Sequence, residues 1–344
     1  MKKKVLLALI ATLMSFNSYA DYNISGFGTV AGGKASGDDK VVHKGLAGYN
    51  DEQWSLEPGS FVGIQASIDL HDKVGITVQG LFEGSDDWEG DLTWAFISYD
   101  PTDEWRILAG RQLMPHYIYS DSIDVSYAYH WIALPTQVYN APFNSFNGIS
   151  SQYTFDFDES SLFTQLIYGA EDEKDSGNDY KDIWGGKIAY NYDWFTLNLG
   201  YFEFKESSTN TRPAPGGALE TTSQEGVLIS YDIGFQIDYN DWLVIAEVTT
   251  VDLTDLRDGD SGPGTRQPWM LSVAKRIGDF TPHVTYGEDR ELDFNNEDST
   301  SPFYIAGLRW DCYDSIALKV EYIHKENNDG YSAEAYQLAV VAAF

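Results

Sequence analysis

The chain has 344 residues with 53 acids against 22 Lys and Arg, a formal net charge of −31, and 15% aromatic residues including 23 Tyr and 10 Trp. That balance excludes nucleic acid as a partner, since nothing in it forms a basic groove. The single cysteine, Cys312, excludes an internal disulfide framework. Beyond the N-terminus no apolar run approaches the ~18 residues of a membrane-spanning helix.

Lys2, Lys3 and Lys4 precede an apolar core from Val5 to Met14, and Ser18-Tyr19-Ala20 is a small-x-small cleavage site. Together these predict a signal peptide over residues 1–20, and export. Cleavage after Ala20 removes three lysines and no acids, so the exported domain, residues 21–344, carries −34.

Within that domain the dominant pattern is strict alternation. Weak versions open it at Tyr22 to Val30 and recur at Asp91 to Tyr99, Leu162 to Ala170 and Phe280 to Gly287. Clear ones include Val62, Ile64, Ala66, Ile68 and Leu70 against Gly63, Gln65, Ser67 and Asp69, resuming at Val74, Ile76 and Val78. From Gln224 to Tyr239, Val227, Ile229, Tyr231, Ile233, Phe235, Ile237 and Tyr239 alternate with small or polar residues, apart from Leu228. Residues two apart share one face of a strand, whereas a helix would mix the two sets. The run exceeds a typical soluble strand and suits a tilted membrane strand of about 9 to 11 residues. Ile316, Leu318, Val320 and Tyr322 repeat the pattern, as do Phe195, Leu197, Leu199 and Tyr201. About sixteen such segments are expected, an even count of the kind membrane barrels use.

The connections alternate between short and long. Short ones fall near His71-Asp72-Lys73, Asp100 to Asp103, Asp156 to Ser160, Asn191 to Asp193, Tyr239 to Asp241, Ile277 to Asp279 and Cys312 to Asp314. They use the Asp, Asn, Gly and Pro of tight hairpins. Long ones are predicted at Lys34 to Pro58, Arg111 to Asn144, Glu171 to Lys181, Ser207 to Ser223, Leu253 to Arg266 and Glu288 to Thr300, with shorter ones at Glu83 to Glu89 and Lys325 to Tyr331. The acids cluster in these long connections, which are accordingly read as loops. Short turns on one rim and long loops on the other define a transmembrane antiparallel β-barrel. Aromatics flank the short turns at Tyr99, Trp105, Tyr192, Trp194, Tyr239, Trp242, Trp310 and Tyr313. A second ring is expected from Trp184, Tyr201, Trp269, Tyr286, Tyr304 and Tyr322. The last strand carries Tyr336, Leu338, Val340, Ala342 and Phe344 on one face and is expected to pair with the first, removing both edges.

No catalytic constellation appears. The six histidines, His43, His71, His116, His130, His283 and His324, include no two-histidine metal spacing, and there is no Gly-x-Ser-x-Gly or Cys-x-x-Cys. The run Asp255 to Gly262 looks superficially like a calcium loop, but its spacing fails the template. No enzyme, cofactor or metal is therefore expected. If the apolar faces point outward, the inward set includes Arg106, Lys187, Arg276, Arg309, Lys319, Glu83, Asp232, Glu247 and Glu321, which either solvate a water-filled interior or form a selectivity ladder.

The segment Arg111 to Asn147 stands apart: it is long, aromatic, without a clean period, and carries only Asp121 and Asp124 as acids. A long run of this kind belongs in a compact domain only if packed and functional. The run from Arg106 to Gln112, the stretch Tyr119 to Tyr129 and the triplet Phe146-Asn147-Gly148 resemble the Gram-negative outer-membrane porins. The resemblance implies a barrel whose third loop, after strand five, folds into the lumen, with a homotrimer set among outer-membrane lipid and lipopolysaccharide. The Pro-Glu-Phe-Gly-Gly stretch of the enteric general porins is missing, so their eyelet chemistry does not carry over. The second loop, Glu83 to Glu89, is also short, so the resemblance does not carry over the latch that enteric porins use between subunits.

The expected function is passive diffusion of small hydrophilic solutes and ions through a water-filled pore with a mild cation preference. Asp121 and Asp124 would face wall cations drawn from Arg106, Arg111, Arg309 and Lys319 across the constriction. The alternatives are an exported surface receptor or adhesin, and a soluble all-β glycan-binding protein.

Overall fold

The computed structural model describes residues 22–37, 46–49, 53–173, 178–213, 219–252, 263–293, 298–327 and 329–344. The signal segment, His43, the acids Asp51 and Glu52, and the run Asp255 to Gly262 lie outside the described residues. Strands β1 (Tyr22–Gly37), β2 (Phe61–His71), β3 (Val74–Glu83), β4 (Gly90–Tyr99) and β5 (Trp105–Leu113) lead to an irregular segment, residues 114–144. After it come β6 (Ser145–Asp156), β7 (Ser160–Glu173), β8 (Asn178–Tyr192), β9 (Phe195–Pro213), β10 (Leu219–Tyr239) and β11 (Trp242–Asp252). The ring ends with β12 (Pro263–Arg266), β13 (Trp269–Lys275), β14 (Phe280–Asp293), β15 (Asp298–Tyr313), β16 (Ile316–Glu326) and β17 (Ser332–Ala343).

All pairings are antiparallel between neighbours, and β12 and β13 both lie between β11 and β14. These two are halves of one stave, broken at Gln267-Pro268 where proline has no N–H to give, so the seventeen segments form sixteen staves. β1 closes the ring, pairing with β2 from Tyr22↔Ile68 to Thr29↔Phe61 and with β17 from Phe27↔Ala343 to Gly37↔Ala333. Gly26 and the terminal Phe344 exchange both backbone hydrogen bonds at 2.8 Å, so the last residue takes part in the seam.

Burial follows the alternation. On β10, Leu228, Ser230 and Asp232 are buried, while Tyr231 and Ile233 point out and are 40% and 51% exposed. The same outward parity leaves Ile64, Ile149, Leu166, Ile188, Val248 and Val320 uncovered, an apolar belt far larger than a water-facing surface carries. Aromatic rings border it stave to stave. Trp184 meets Tyr201 at 5.7 Å, Tyr201 meets Tyr231 at 6.0 Å, Trp269 meets Tyr286 at 5.5 Å and Tyr286 meets Tyr304 at 5.0 Å. At the short-turn rim Trp194 lies 6.4 Å from Tyr192 and 6.1 Å from Tyr239, and Phe280 stacks on Trp310 at 5.9 Å.

Several loop boundaries differ from the sequence reading. Glu171 to Glu173 and Asn178 to Lys181 are strand, β9 and β10 extend to Pro213 and from Leu219, and β14 continues through the acids to Asp293. In these stretches polar and charged residues replace the apolar alternation, so it ceases to report the strand while the backbone ladder continues. Arg111 to Leu113 and Ser145 to Asn147, read as parts of the long segment, pair with each other as the ends of β5 and β6; here the neighbours Gln112 and Leu113, and Ser145 and Phe146, are all buried, so no polar face alternates with an apolar one.

Three glycines, Gly110, Gly148 and Gly169, face one another across β5, β6 and β7. The fully buried Phe146 ring packs over Gly148 and Gly169, and a Cβ on Gly148 would stand 2.2 Å from the Tyr168 carbonyl oxygen. Gly148→Ala is therefore expected to cost about 1–3 kcal/mol through overpacking against backbone. It should lower the temperature at which the barrel loses its compact gel mobility; an unchanged temperature would contradict the close approach.

Candidate functional site

Residues 114–144 contain only two single 3₁₀ turns, Ser120–Ser122 and Ser126–Ala128. Such a segment leaves most of its backbone N–H and C=O groups without ladder partners, and where they are buried other partners must supply the bonds. Charged side chains on the inner faces of the staves do so. On β16, Lys319 Nζ donates to the carbonyls of Ser126 at 2.5 Å, Tyr129 at 2.9 Å, and Trp131. Two residues on and therefore on the same face, Glu321 accepts the Ile132 N–H at 3.0 Å. From β15, Arg309 Nη1 donates to Tyr127 at 2.7 Å and Tyr129 at 2.9 Å, with its guanidinium 4.7 Å from the centre of the Tyr127 ring.

The opposite flank is held by β8, β11 and β12. Glu247 accepts the Ile118 N–H at 2.8 Å and also the Tyr139 hydroxyl, so one carboxylate ties two distant points of the segment. Lys187 donates to the Tyr117 carbonyl at 2.9 Å and Arg266 Nη2 to that of Gln137 at 2.9 Å. Apolar packing fills in between. Trp131 is fully buried and donates from Nε1 to Thr285 Oγ1 at 2.9 Å, and Phe143 joins Phe202 and Phe204 of β9 in a second cluster.

The two histidines of the segment are structural in their surroundings. His116 is buried edge-on to Phe202 at 4.7 Å, and burial pushes its pKa down to about 4. His130 bonds Ser272 Oγ at 2.9 Å, and burial also holds it well below the usual histidine range. Both are neutral at physiological pH.

A cavity of about 190 Å³ lies between the segment and the β2–β3 hairpin. Glu83, Asp124, Thr136 and Asn144 supply its polar lining, Phe61, Tyr129 and Tyr139 its rings, and among the described residues no Lys, Arg or His borders it. Burial, then the charges of Glu83 and Asp91, push the Asp124 carboxyl up to about 7. Among the described residues no group of three or more His, Cys, Asp or Glu side chains is placed to hold a metal ion.

The six residues singled out from the sequence do not form one cluster. Lys319 and Arg309 converge on the stretch Ser126 to Trp131, through its backbone rather than through Asp121 or Asp124. Arg111 Nη1 donates to both Glu171 carboxylate oxygens at 2.7 and 2.8 Å, and Arg106 pairs with Asp100 at 2.7 Å, exposed on the short-turn rim. Asp121 is exposed and Asp124 half-buried in the cavity lining. Sequence reasoning placed Lys187, Glu247 and Glu321 inward but gave them no partner, and it missed Arg266 altogether. The only local signal for Arg266 is its place next to the Gln267-Pro268 break.

No protein-family model matches the chain, and a search of curated proteins finds no match. Solved structures do match. An anion-selective porin from Comamonas acidovorans is 15% identical with a TM-score of 0.66, over 95% of this chain and 100% of that one. A loop L8 deletion mutant of OmpT, an outer membrane protein of Vibrio cholerae, is 11% identical with a TM-score of 0.66 over the same shares, 95% and 100%. OprB from Pseudomonas putida is 9% identical with a TM-score of 0.53, over 94% of each chain. At such identities the likeness is one of fold. The molecule is a closed antiparallel barrel of sixteen staves, and that is the fold of these outer-membrane barrels, porins among them.

Proposed function

We propose that the protein is an outer-membrane porin: a water-filled channel for passive diffusion of small hydrophilic solutes and ions, narrowed by residues 114–144 folded into its lumen. The observation that supports this most is the segment itself, an irregular stretch fastened to inner-face side chains of β8, β11, β15 and β16. Sixteen staves leave more space than wall side chains alone fill. The segment takes up part of it, and an acid-lined cavity remains on the β2–β3 side.

Selectivity in this reading belongs to Asp121 and Asp124. The carboxylate field at the constriction favours cations, and the wall cations Arg309 and Lys319 act by holding the segment in place. Arg106 and Arg111 contribute less to the field, their charges being matched by Asp100 and Glu171. Residues 1–20 direct export, the apolar belt sits in outer-membrane lipid and lipopolysaccharide, and the working form is a homotrimer; one solved form of the Vibrio cholerae protein is described as a trimer. No bond-breaking chemistry is part of the account.

The test is conductance of purified, folded protein in planar bilayers. Discrete open steps with a reversal potential of cation sign in a KCl gradient are expected; a folded protein that never conducts would identify a closed-barrel receptor or adhesin instead. Asp121→Asn and Asp124→Asn should each move the reversal potential toward anions. Because the Asp124 carboxyl is neutral below about 7 and charged above it, cation preference should fall as pH drops from about 8 to about 6. In Asp124→Asn the profile should flatten over that window, and a profile as steep as wild type would place the titrating group elsewhere.

A further inference from the structure

We infer that the cavity between Asp124 and the β2–β3 hairpin is a binding site for small organic cations, an ammonium head carried on a short apolar body. The inference rests on the channel reading, since the cavity would lie on the solute path.

Four features select that ligand class. First, the cavity presents two carboxylates, a partly buried Asp124 and a solvent-exposed Glu83 at its edge, and the charges that act on Asp124 are those of Glu83 and Asp91, with no cation among them. Second, among the described residues no basic side chain borders it, so a ligand brings the counter-charge. Third, the remaining walls are largely apolar and aromatic, including Phe61, Leu81, Tyr129 and Leu134. An inorganic ion keeps its water shell and gains little from such walls, whereas an alkylammonium spreads its charge over methyl or methylene groups that pack on rings and are attracted to their faces. Fourth, Thr136 and Asn144 offer hydrogen-bonding groups within an otherwise apolar wall, where a hydroxyl or amine N–H can bond.

A neutral solute of the same shape would leave both carboxylates unpaired, and an anion would be repelled by them. The upward push on the Asp124 carboxyl, to about 7 with burial as its main cause, is what a carboxylate without a counter-charge experiences. The space of about 190 Å³ suits a compact ligand rather than an oligomer.

Choline is the probe, with the uncharged alcohol in which carbon replaces its nitrogen as the control. In planar bilayers at fixed KCl, choline should reduce the open-channel current in a saturating manner, and the neutral analogue at equal concentration should not. Asp124→Asn and Glu83→Gln, each isosteric, should raise the half-blocking concentration about tenfold or more. Equal block by choline and its analogue, or block unmoved in both variants, would overturn the site. If the wild-type protein conducts no KCl, the channel reading fails separately, and calorimetry on the folded, detergent-solubilised barrel decides the site alone. Saturable choline binding lost in Asp124→Asn supports it, and no binding overturns it.

Discussion

Lys319→Met is expected to release the inner segment while leaving the barrel closed. An ammonium has three donors and no acceptor, and here the carbonyls of Ser126, Tyr129 and Trp131 take up its donors. Methionine fills comparable space but leaves those carbonyls without that partner in a buried setting. A buried acceptor left without a partner costs about 1–3 kcal/mol. The ladder pairs of β16 with β15 and β17 are untouched, so heat-modifiable gel mobility should persist. The segment should become a site of limited proteolysis between residues 118 and 135, and the mean conductance step should grow. Arg309 still reaches the Tyr129 carbonyl at 2.9 Å, so removing both cations should exceed either alone. Protease resistance equal to wild type in the double variant would show that packing, not these bonds, holds the segment.

Trp131→Ala tests packing directly. The indole is fully buried, 3.9 Å from the His130 ring centre, and donates to Thr285, whose hydroxyl donates in turn to Ser272 at 2.8 Å. Truncation opens a cavity and leaves that hydroxyl chain without its terminal donor, at a cost of about 3–5 kcal/mol. Trp131→Phe keeps most of the ring contact and gives up one hydrogen bond, a loss nearer 1 kcal/mol. Thermal unfolding in detergent should rank wild type above Phe above Ala, with the larger step at Ala. A Phe variant as weak as Ala would assign the effect to the hydrogen bond instead.

Much of the wall was legible because each stave lies between two different surroundings. On β10 and β16 the apolar parity read from the sequence is the outward parity of the structure, and Asp232, Lys319 and Glu321 are buried on the other face. The girdle residues were legible for the same reason, as rings belong at the edges of an apolar belt. What the sequence did not reveal is which inward charges meet water and which meet chain. Lys319 and Arg276 look alike as inward cations of a strand, yet one is 1% exposed beneath three carbonyls and the other pairs with Asp238 at 2.7 Å near a turn. The difference arises from backbone groups of a segment distant in sequence, whose needs depend on its irregular path. The partnership of Asp124 with Glu83 across one cavity was hidden likewise, since it joins a loop residue to the end of β3.

The most direct test of the account is the size of the water path past residues 114–144, measured by adding neutral polymers of graded radius to one side of a planar bilayer. Small polymers should enter wild-type channels and lower their conductance, up to a cut-off set by the segment. That cut-off should move to larger radii in Lys319→Met with Arg309→Met. A cut-off identical in wild type and the double variant, in channels that both conduct, would contradict the claim that this segment narrows the pore.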